Sequence, residues 1–440
     1  MDLSNKNKTI FRIVIFLGFA YLFRLAFSIN TEFWYPDEDV LQIYLIGLKY
    51  YATGLYPYFG ADLVYTQTQI PGGLQGILVG LPFFIFQIPE APHILLNLLM
   101  ILSSAVLCWY MGKRLEEFPK KILWVWIFFT SWSICYFTRV VNPSYVVPAS
   151  ILFWISIFEI YPFLKKGIIS EKLCFFLIGF SFFWILQLHL SWVLLIPYIV
   201  LSFFFLLRSK NIRYILIMVS FFIFGCLVSG SFLLPTVIEY GFSSHSNSTI
   251  TSNIQLHFEN LIYGIDYLIK YLAYACFDVT RFIGNDTPQR IQFLTEYLWA
   301  SPFIVLLTLF GILQLILLII LFFSKKNNSY KWDGVKLTFL SAYIFMFLSS
   351  SFSIATPGGH TTVLLFPIAI IYAAHSFAYI IQKQYVKKLV WLMFIIAFIC
   401  YLAIGLNNNK NYSLYKNREI IEKAIEKKDY KILGKRRYEK

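Results

Sequence analysis

Long apolar runs separated by short polar or basic segments dominate the chain. The runs cover Ile10–Asn30, Ala91–Gly112, Ile122–Thr138, Tyr145–Phe163, Leu173–Leu188 and Ser191–Leu207. They continue through Tyr214–Pro235, Tyr297–Phe323, Leu337–Phe352, Thr362–Ile381 and Leu389–Leu406. Each is close to the roughly 17–25 residues that cross about 30 Å of hydrocarbon as a helix. The pattern predicts an all-α integral membrane protein with about eleven transmembrane helices. A further apolar stretch, Gly72–Phe86, needs a separate argument.

Loop charge supplies that argument. Basic residues gather at Lys113-Arg114 with Lys120-Lys121, at Lys165-Lys166 with Lys172, from Arg208 to Arg213, from Lys325 to Lys336, and from Lys383 to Lys388. Such loops face the cytoplasm. They alternate with weakly basic connections at Val140–Asn142, Gln187–His189, Glu239–Glu296 and Ser353–His360. With Lys6, Lys8 and Arg12 inside, the first span exits, and only one further crossing precedes Lys113. A full crossing by Gly72–Phe86 would invert every basic loop, so it is expected to lie against or dip into the outer leaflet.

This leaves one polytopic unit over residues 1–406, with outer segments 31–89 and 236–296, followed by a basic tail, 407–440. The charge pattern places the tail outside, where its Lys423, Lys427, Lys428, Lys435, Arg436 and Arg437 run against the rule. The first outer segment predicts a helix from Asp37 to about Thr53, stopped by Gly54 and Pro57. The second contains a Ser/Asn/Thr stretch, Ser243–Ser252, that reads as a loop. The first apolar run is too long for a cleaved signal and is read as a retained span.

Composition agrees. The 440 residues are 58% hydrophobic, 20% aromatic and 14% charged. No single soluble core holds that much apolar side chain. The formal charge of +14 could suit nucleic acid, but its distribution over short loops is a topology signal, and no nucleic-acid partner is expected. The six cysteines, mostly within apolar runs, form no CxxC or Cys/His spacing, which argues against a disulfide framework or zinc site. No Gly-rich phosphate loop is present, since Pro71-Gly72-Gly73 reads as a turn.

The densest polar feature is Tyr35-Pro36-Asp37-Glu38-Asp39, at the outer mouth of the first span. Acids there suit a helix N-cap and the helix dipole. Three adjacent carboxylates at headgroup level in an acid-poor protein also suit a working site. Transfer of a sugar from a lipid phosphate needs a carboxylate to take the acceptor's proton, and positive charge where the phosphate departs. Cations and donors occur at the outer ends of several spans: Arg24, Arg139 opening Arg139-Val-Val-Asn142, Gln187-Leu-His189, and His360 in Pro357-Gly-Gly-His360. Each has a plainer alternative, a headgroup anchor for the arginines and a backbone or turn contact for the histidines.

At these residues the chain resembles the C-type glycosyltransferases. The likeness is to dolichyl-phosphate-mannose protein mannosyltransferases and to aminoarabinose and related bacterial sugar transferases. It runs through Arg24, Pro36-Asp37-Glu38, Tyr44, Gln69-Ile-Pro71-Gly-Gly-Leu74, Arg139-Val-Val-Asn142-Pro-Ser, Gln187-Leu-His189, and Gly359-His360 before Pro367. It covers the first 200 residues well and the remainder loosely.

The resemblance implies inverting transfer from a polyprenyl-phosphate sugar to a protein, glycan or lipid acceptor. Asp37 would be the base and Glu38 its companion, while Arg24, Arg139, Asn142, Gln187, His189 and His360 would bind carrier phosphate or substrate. It also implies membrane-parallel helices in the first outer loop. Members often carry His-Pro-Pro-Leu or Lys-Pro-Pro-Leu where this chain has Gln-Ile-Pro-Gly-Gly-Leu, and Asp where it has Asn142. The second change removes a metal-binding carboxylate, so catalysis without a metal or other cofactor is expected, at a bacterial plasma membrane. The competing readings are a flippase for lipid-linked sugars, which would place ionisable residues deep in the bundle, a polysaccharide polymerase or ligase, and a non-catalytic scaffold.

Overall fold

A computed structural model describes residues 3–32, 38–63, 68–161, 167–241, 256–324, 330–353, 356–411 and 414–436. Among them, nine helices are long and apolar enough to cross a membrane. They fall where the apolar runs predict: Asn7–Thr31, Ala91–Arg114, Asn142–Ile160, Leu190–Ser209, Ile212–Gly230, Ser301–Phe322, Trp332–Phe352, Gly359–Phe377 and Gln384–Asn407.

The elements follow in chain order. Helices α1 (Leu3–Glu32) and α2 (Glu38–Thr53) precede a hairpin, β1 (Phe59–Leu63) and β2 (Thr68–Pro71). Then come α3 (Leu74–Ile85), α4 (Ala91–Arg114), α5 (Lys120–Phe129), α6 (Ser131–Cys135), α7 (Asn142–Ile160) and α8 (Glu171–Leu186). Helices α9 (Ile196–Ser209), α10 (Ile212–Gly230), α11 (Leu234–Tyr240), α12 (Gly264–Ala273) and α13 (Thr287–Glu296) follow. The chain continues through α14 (Ser301–Phe322), α15 (Tyr330–Ser349), α16 (Phe366–Phe377), α17 (Gln384–Asn411) and α18 (Leu414–Glu426).

Two of the eleven expected spans differ from the rest. Leu173–Leu188 becomes α8, a helix of 16 residues packed against α7 and α10. Gly179 and Gly225 bring α8 and α10 together so closely that a Cβ on either would meet the other's backbone, at Phe222 and Phe176 respectively. Small residues permit this backbone approach in a membrane bundle. The run Ile122–Thr138 is broken. α5 ends at Phe129, Thr130 is extended, and its hydroxyl caps α6 by accepting from the Ser133 N–H at 3.1 Å. A threonine followed by Ser131 offers a new cap that competes with helix continuation.

The segment between the first two long helices holds α2, the hairpin and α3. As predicted, α2 ends at Thr53; Gly54 follows at φ +68 and donates back to Tyr50 O, a left-handed stop that glycine adopts without strain. At 12 residues, α3 is about 18 Å long, too short for the hydrocarbon core. Leu81, Phe84 and Ile85 are exposed on it. It crosses α2 where Gly47 and Gly80 touch; a Cβ on Gly80 would lie 2.6 Å from Gly47 O.

The antiparallel hairpin, pairing Asp62 with Gln69 and Leu63 with Thr68, corrects the all-helical expectation in a small way. The apolar periodicity of the spans carries no information about a short polar loop. Hydrogen bonds from Gly73 N and the Tyr56 hydroxyl to Phe232 O, and from the Thr236 hydroxyl to Tyr58 O, tie this segment to the end of α10 and the start of α11.

The basic tail docks on the same segment. Arg418 pairs with Glu90 at 2.7 Å, and Arg436 reaches Asp62 at 2.6 Å while donating to Phe59 O and Gly60 O. Its positive charge therefore meets Asp62 and Glu90. At the far end of the bundle Glu159, inside the apolar run Tyr145–Phe163, pairs with Arg114 and accepts from the N–H groups of Ile168 and Ile169.

Candidate active site

The break after α5 shapes the end of the bundle where α1 and α17 finish and α7 begins. With the helix interrupted, Trp132 and Cys135 on α6 and Tyr136 and Arg139 in the turn that follows face a cavity of about 780 Å³. Thr31 at the end of α1, His360 before α16, and Ile404 and Asn407 on α17 also line it. The remaining lining comes from the segment before α14: Arg281, Phe282, Ile283, Gly284, Asn285, and, on α13, Gln289, Gln292, Phe293 and Glu296. Contributions from five separate parts of the chain meet here.

Residues 256–296 are held to the turn before α16. Asn260 donates to Ser350 O and Ser353 O at 3.0 and 2.7 Å, and Lys270 to Pro357 O at 3.1 Å. The Tyr274 hydroxyl donates to Gly359 O and lies 3.1 Å from the Thr362 hydroxyl. Burial pushes that phenol above its ordinary range, so it remains a neutral donor.

This docking delivers Arg281. Its guanidinium carbon sits 4.6 Å from the centroid of the Trp132 ring, and a Cβ on Gly359 would lie 2.5 Å from Arg281 Nη1. The cation thus lies between an indole ring and a bare stretch of backbone, and no carboxylate pairs with it among the described residues. Arg139 lies over Tyr136 at 6.0 Å, and the Tyr136 and His360 rings are stacked. The result is a connected aromatic and cationic group on the cavity surface, suited to an anion that would be poorly hydrated there.

The residues singled out in the sequence divide into three sets. Arg139 and His360 line the cavity. Arg24, Asn142, Gln187 and His189 do not. Arg24 is 1% exposed and donates to Ser133 O and Oγ, both at 2.7 Å, and to Phe137 O at 3.4 Å; it is neither a headgroup anchor nor part of the cavity lining. It locks α1 onto α6 and so holds the break in place. The Asn142 amide donates to Leu188 O, joining the start of α7 to the end of α8. Gln187 donates to Phe183 O and Ser229 O and packs against Gly72. Asp37, the serine-rich stretch Ser243–Ser252 and the side chain of Glu38 lie outside the described residues.

His189 is a cap rather than a cation. Its Nδ1 accepts from Ser191 N at 3.1 Å and lies 2.8 Å from the Ser191 hydroxyl. Burial, and then the neighbouring His360, hold its pKa down to about 4, from 6.5. The unfolded chain binds this proton at higher pH than the folded one. The stabilisation is therefore complete above pH about 6.5 and is lost as pH falls toward about 4. Over that interval the thermal midpoint of the wild type should fall more steeply than that of His189→Gln; parallel curves would show that this ring is not the group concerned.

Sequence reasoning missed Trp132 and Arg281. Trp132 sits inside an apolar run that reads as a continuous span. Arg281 is one of several cations in a long segment between apolar runs, and only its neighbours in space distinguish it. The chain matches no protein-family model, no curated protein and no solved structure.

Proposed function

We propose that the chain is a membrane glycosyltransferase of the C type. It would move a sugar from a polyprenyl-phosphate carrier to an acceptor at the extracytoplasmic face of a bacterial plasma membrane, with inversion. The observation that carries this reading is the cavity at the bundle end where Arg139 and His360 converge with Arg281, which has no carboxylate partner among the described residues. Such a group supplies positive charge and donors to a departing phosphate, which then needs no acid.

Thr31 lines the same cavity and precedes Asp37 by six positions in the sequence. In this reading Asp37 takes the acceptor's proton as its oxygen attacks the anomeric carbon. The carbon–oxygen bond to phosphate breaks, and its electron pair leaves with the carrier phosphate between Arg139 and Arg281. Glu38 accompanies the base. The tyrosine-held turn before α16 and the Arg24 lock on α6 position the two arginines.

The flippase alternative has less support. Glu159 is occupied by Arg114 and two backbone donors, so it is spent as a structural ion pair and no free intramembrane carboxylate is available at that position.

Eleven crossings complete the proposed topology, with α8 and the broken α5–α6 unit counted as spans and α3 held at the outer leaflet. A cysteine at position 80 would force α2 from α3, so the side is better tested at Leu55, which is 64% exposed. Leu55→Cys should react with an impermeant thiol reagent added outside intact cells, and Glu116→Cys only after permeabilisation. The reverse pattern would overturn the orientation.

The activity itself is tested with purified protein in vesicles, a panel of labelled polyprenyl-phosphate sugars, and membrane extract as acceptor source. Label should move to an acceptor, and Arg139→Ala with Arg281→Ala should stop it. A folded protein that turns over none of the panel, or a double variant with full activity, would end this reading.

A further inference from the structure

The cavity carries a second group of side chains with different chemistry. Asn285 lies in the loop before α13, and Gln292 on that helix; both line the cavity. Neither side-chain amide bonds to another protein group among the described residues. Gln289, the third amide, uses its carbonyl oxygen to accept from Asn285 N at 2.9 Å, which leaves its NH₂ as a donor. Phe282, half-buried and from the same segment, sets an apolar ring beside these amides. An amide offers one acceptor and two donors, so it can bond adjacent hydroxyls that each donate and accept. Flat rings suit the C–H face of a sugar.

We infer that Asn285, Gln289 and Gln292 form a saccharide subsite for a neutral, hydroxyl-bearing sugar, beside the phosphate seat made by Arg281 and Arg139. This rests on the glycosyltransferase reading and narrows its substrate to an uncharged hexose or pentose phosphate. The volume of about 780 Å³ falls within the roughly 300–1,000 Å³ of small-molecule pockets and leaves room for an acceptor group. Glu296, one turn beyond Gln292 on the same helix and also in the cavity lining, places a carboxylate there that disfavours a second one on the sugar.

Binding to the purified full-length protein tests the inference without turnover. The probes are inorganic phosphate, glucose 1-phosphate and glucuronic acid 1-phosphate, titrated calorimetrically. Glucose 1-phosphate should bind at least about tenfold tighter than phosphate, the effect of one or two net hydrogen bonds, and tighter than the glucuronic acid compound. Asn285→Ala with Gln292→Ala should abolish that preference and leave phosphate affinity unchanged, which also shows that the protein is folded. Arg281→Ala should weaken all three. Equal affinity for phosphate and glucose 1-phosphate, no binding of glucose 1-phosphate, or an unchanged preference in the amide variant overturns the subsite. Transfer activity in the vesicle assay together with any of these results would sink the subsite alone. A preserved preference for the sugar phosphate in a protein that transfers nothing would sink the transferase reading alone.

Discussion

Asp37→Asn is expected to lower transfer by about 10²–10⁴-fold, the usual contribution of a positioned general base, with carrier-phosphate binding nearly unchanged. The substitution separates two roles. α2 begins at Glu38, so Asp37 directly precedes a helix, and a cap alone could account for an acid there. Asparagine caps a helix about as well as aspartate, but it cannot accept the acceptor's proton. A capping role thus predicts an unchanged rate and an unchanged unfolding midpoint, whereas a base predicts a lost rate with the same midpoint. Asp39→Asn, in the first turn of the same helix, should retain transfer. Full activity in Asp37→Asn would remove this residue from the chemistry.

The second large effect concerns Arg281. Alanine there should reduce transfer by about 10²–10³-fold, the range seen when one preorganised donor to a developing negative charge is removed. Lysine keeps the charge but loses the planar stack on Trp132 and the fork of donors, so Arg281→Lys should recover only part of the rate. Gly359→Ala offers an independent route to the same defect, because its Cβ would meet Arg281 Nη1 at 2.5 Å and displace the guanidinium without removing it. Rates measured on all three variants, with folding followed by thermal midpoint, decide the matter. Wild-type rates in folded Arg281→Ala protein would show that the arginine only fastens Trp132 in place.

Part of this arrangement could be read directly from residue order. Apolar runs located the nine long helices, because helix length in a bilayer is a local property of consecutive residues. Gly54 and Pro57 marked the end of α2, since a left-handed stop and a missing donor act within one turn. The charge alternation argued that Gly72–Phe86 was no ordinary span, and α3 is indeed too short to be one. Arg139 and His360 were singled out as cations or donors at span ends, and both line the cavity.

Other features required the third dimension. Arg24 and Arg281 are the same residue type near helix or loop ends, yet one is sealed against the carbonyls around α6 and the other opens onto a cavity. What separates them is the set of groups brought beside each, from residues more than a hundred positions away in both cases. The break at Thr130 was hidden because a capping hydroxyl and a continuing helix are close competitors, and Arg24 on another helix tips the balance by binding Ser133. The tail likewise followed no local rule, since Asp62 and Glu90 attract Arg436 and Arg418 only once the chain has folded back. Sequence alone therefore determined where the long helices lie, which depends on neighbours along the chain, but not their number, since two of the eleven expected spans are short or broken. Tertiary structure decided which polar residues brace the bundle and which line a cavity, because that depends on desolvation and on partners that only packing brings together.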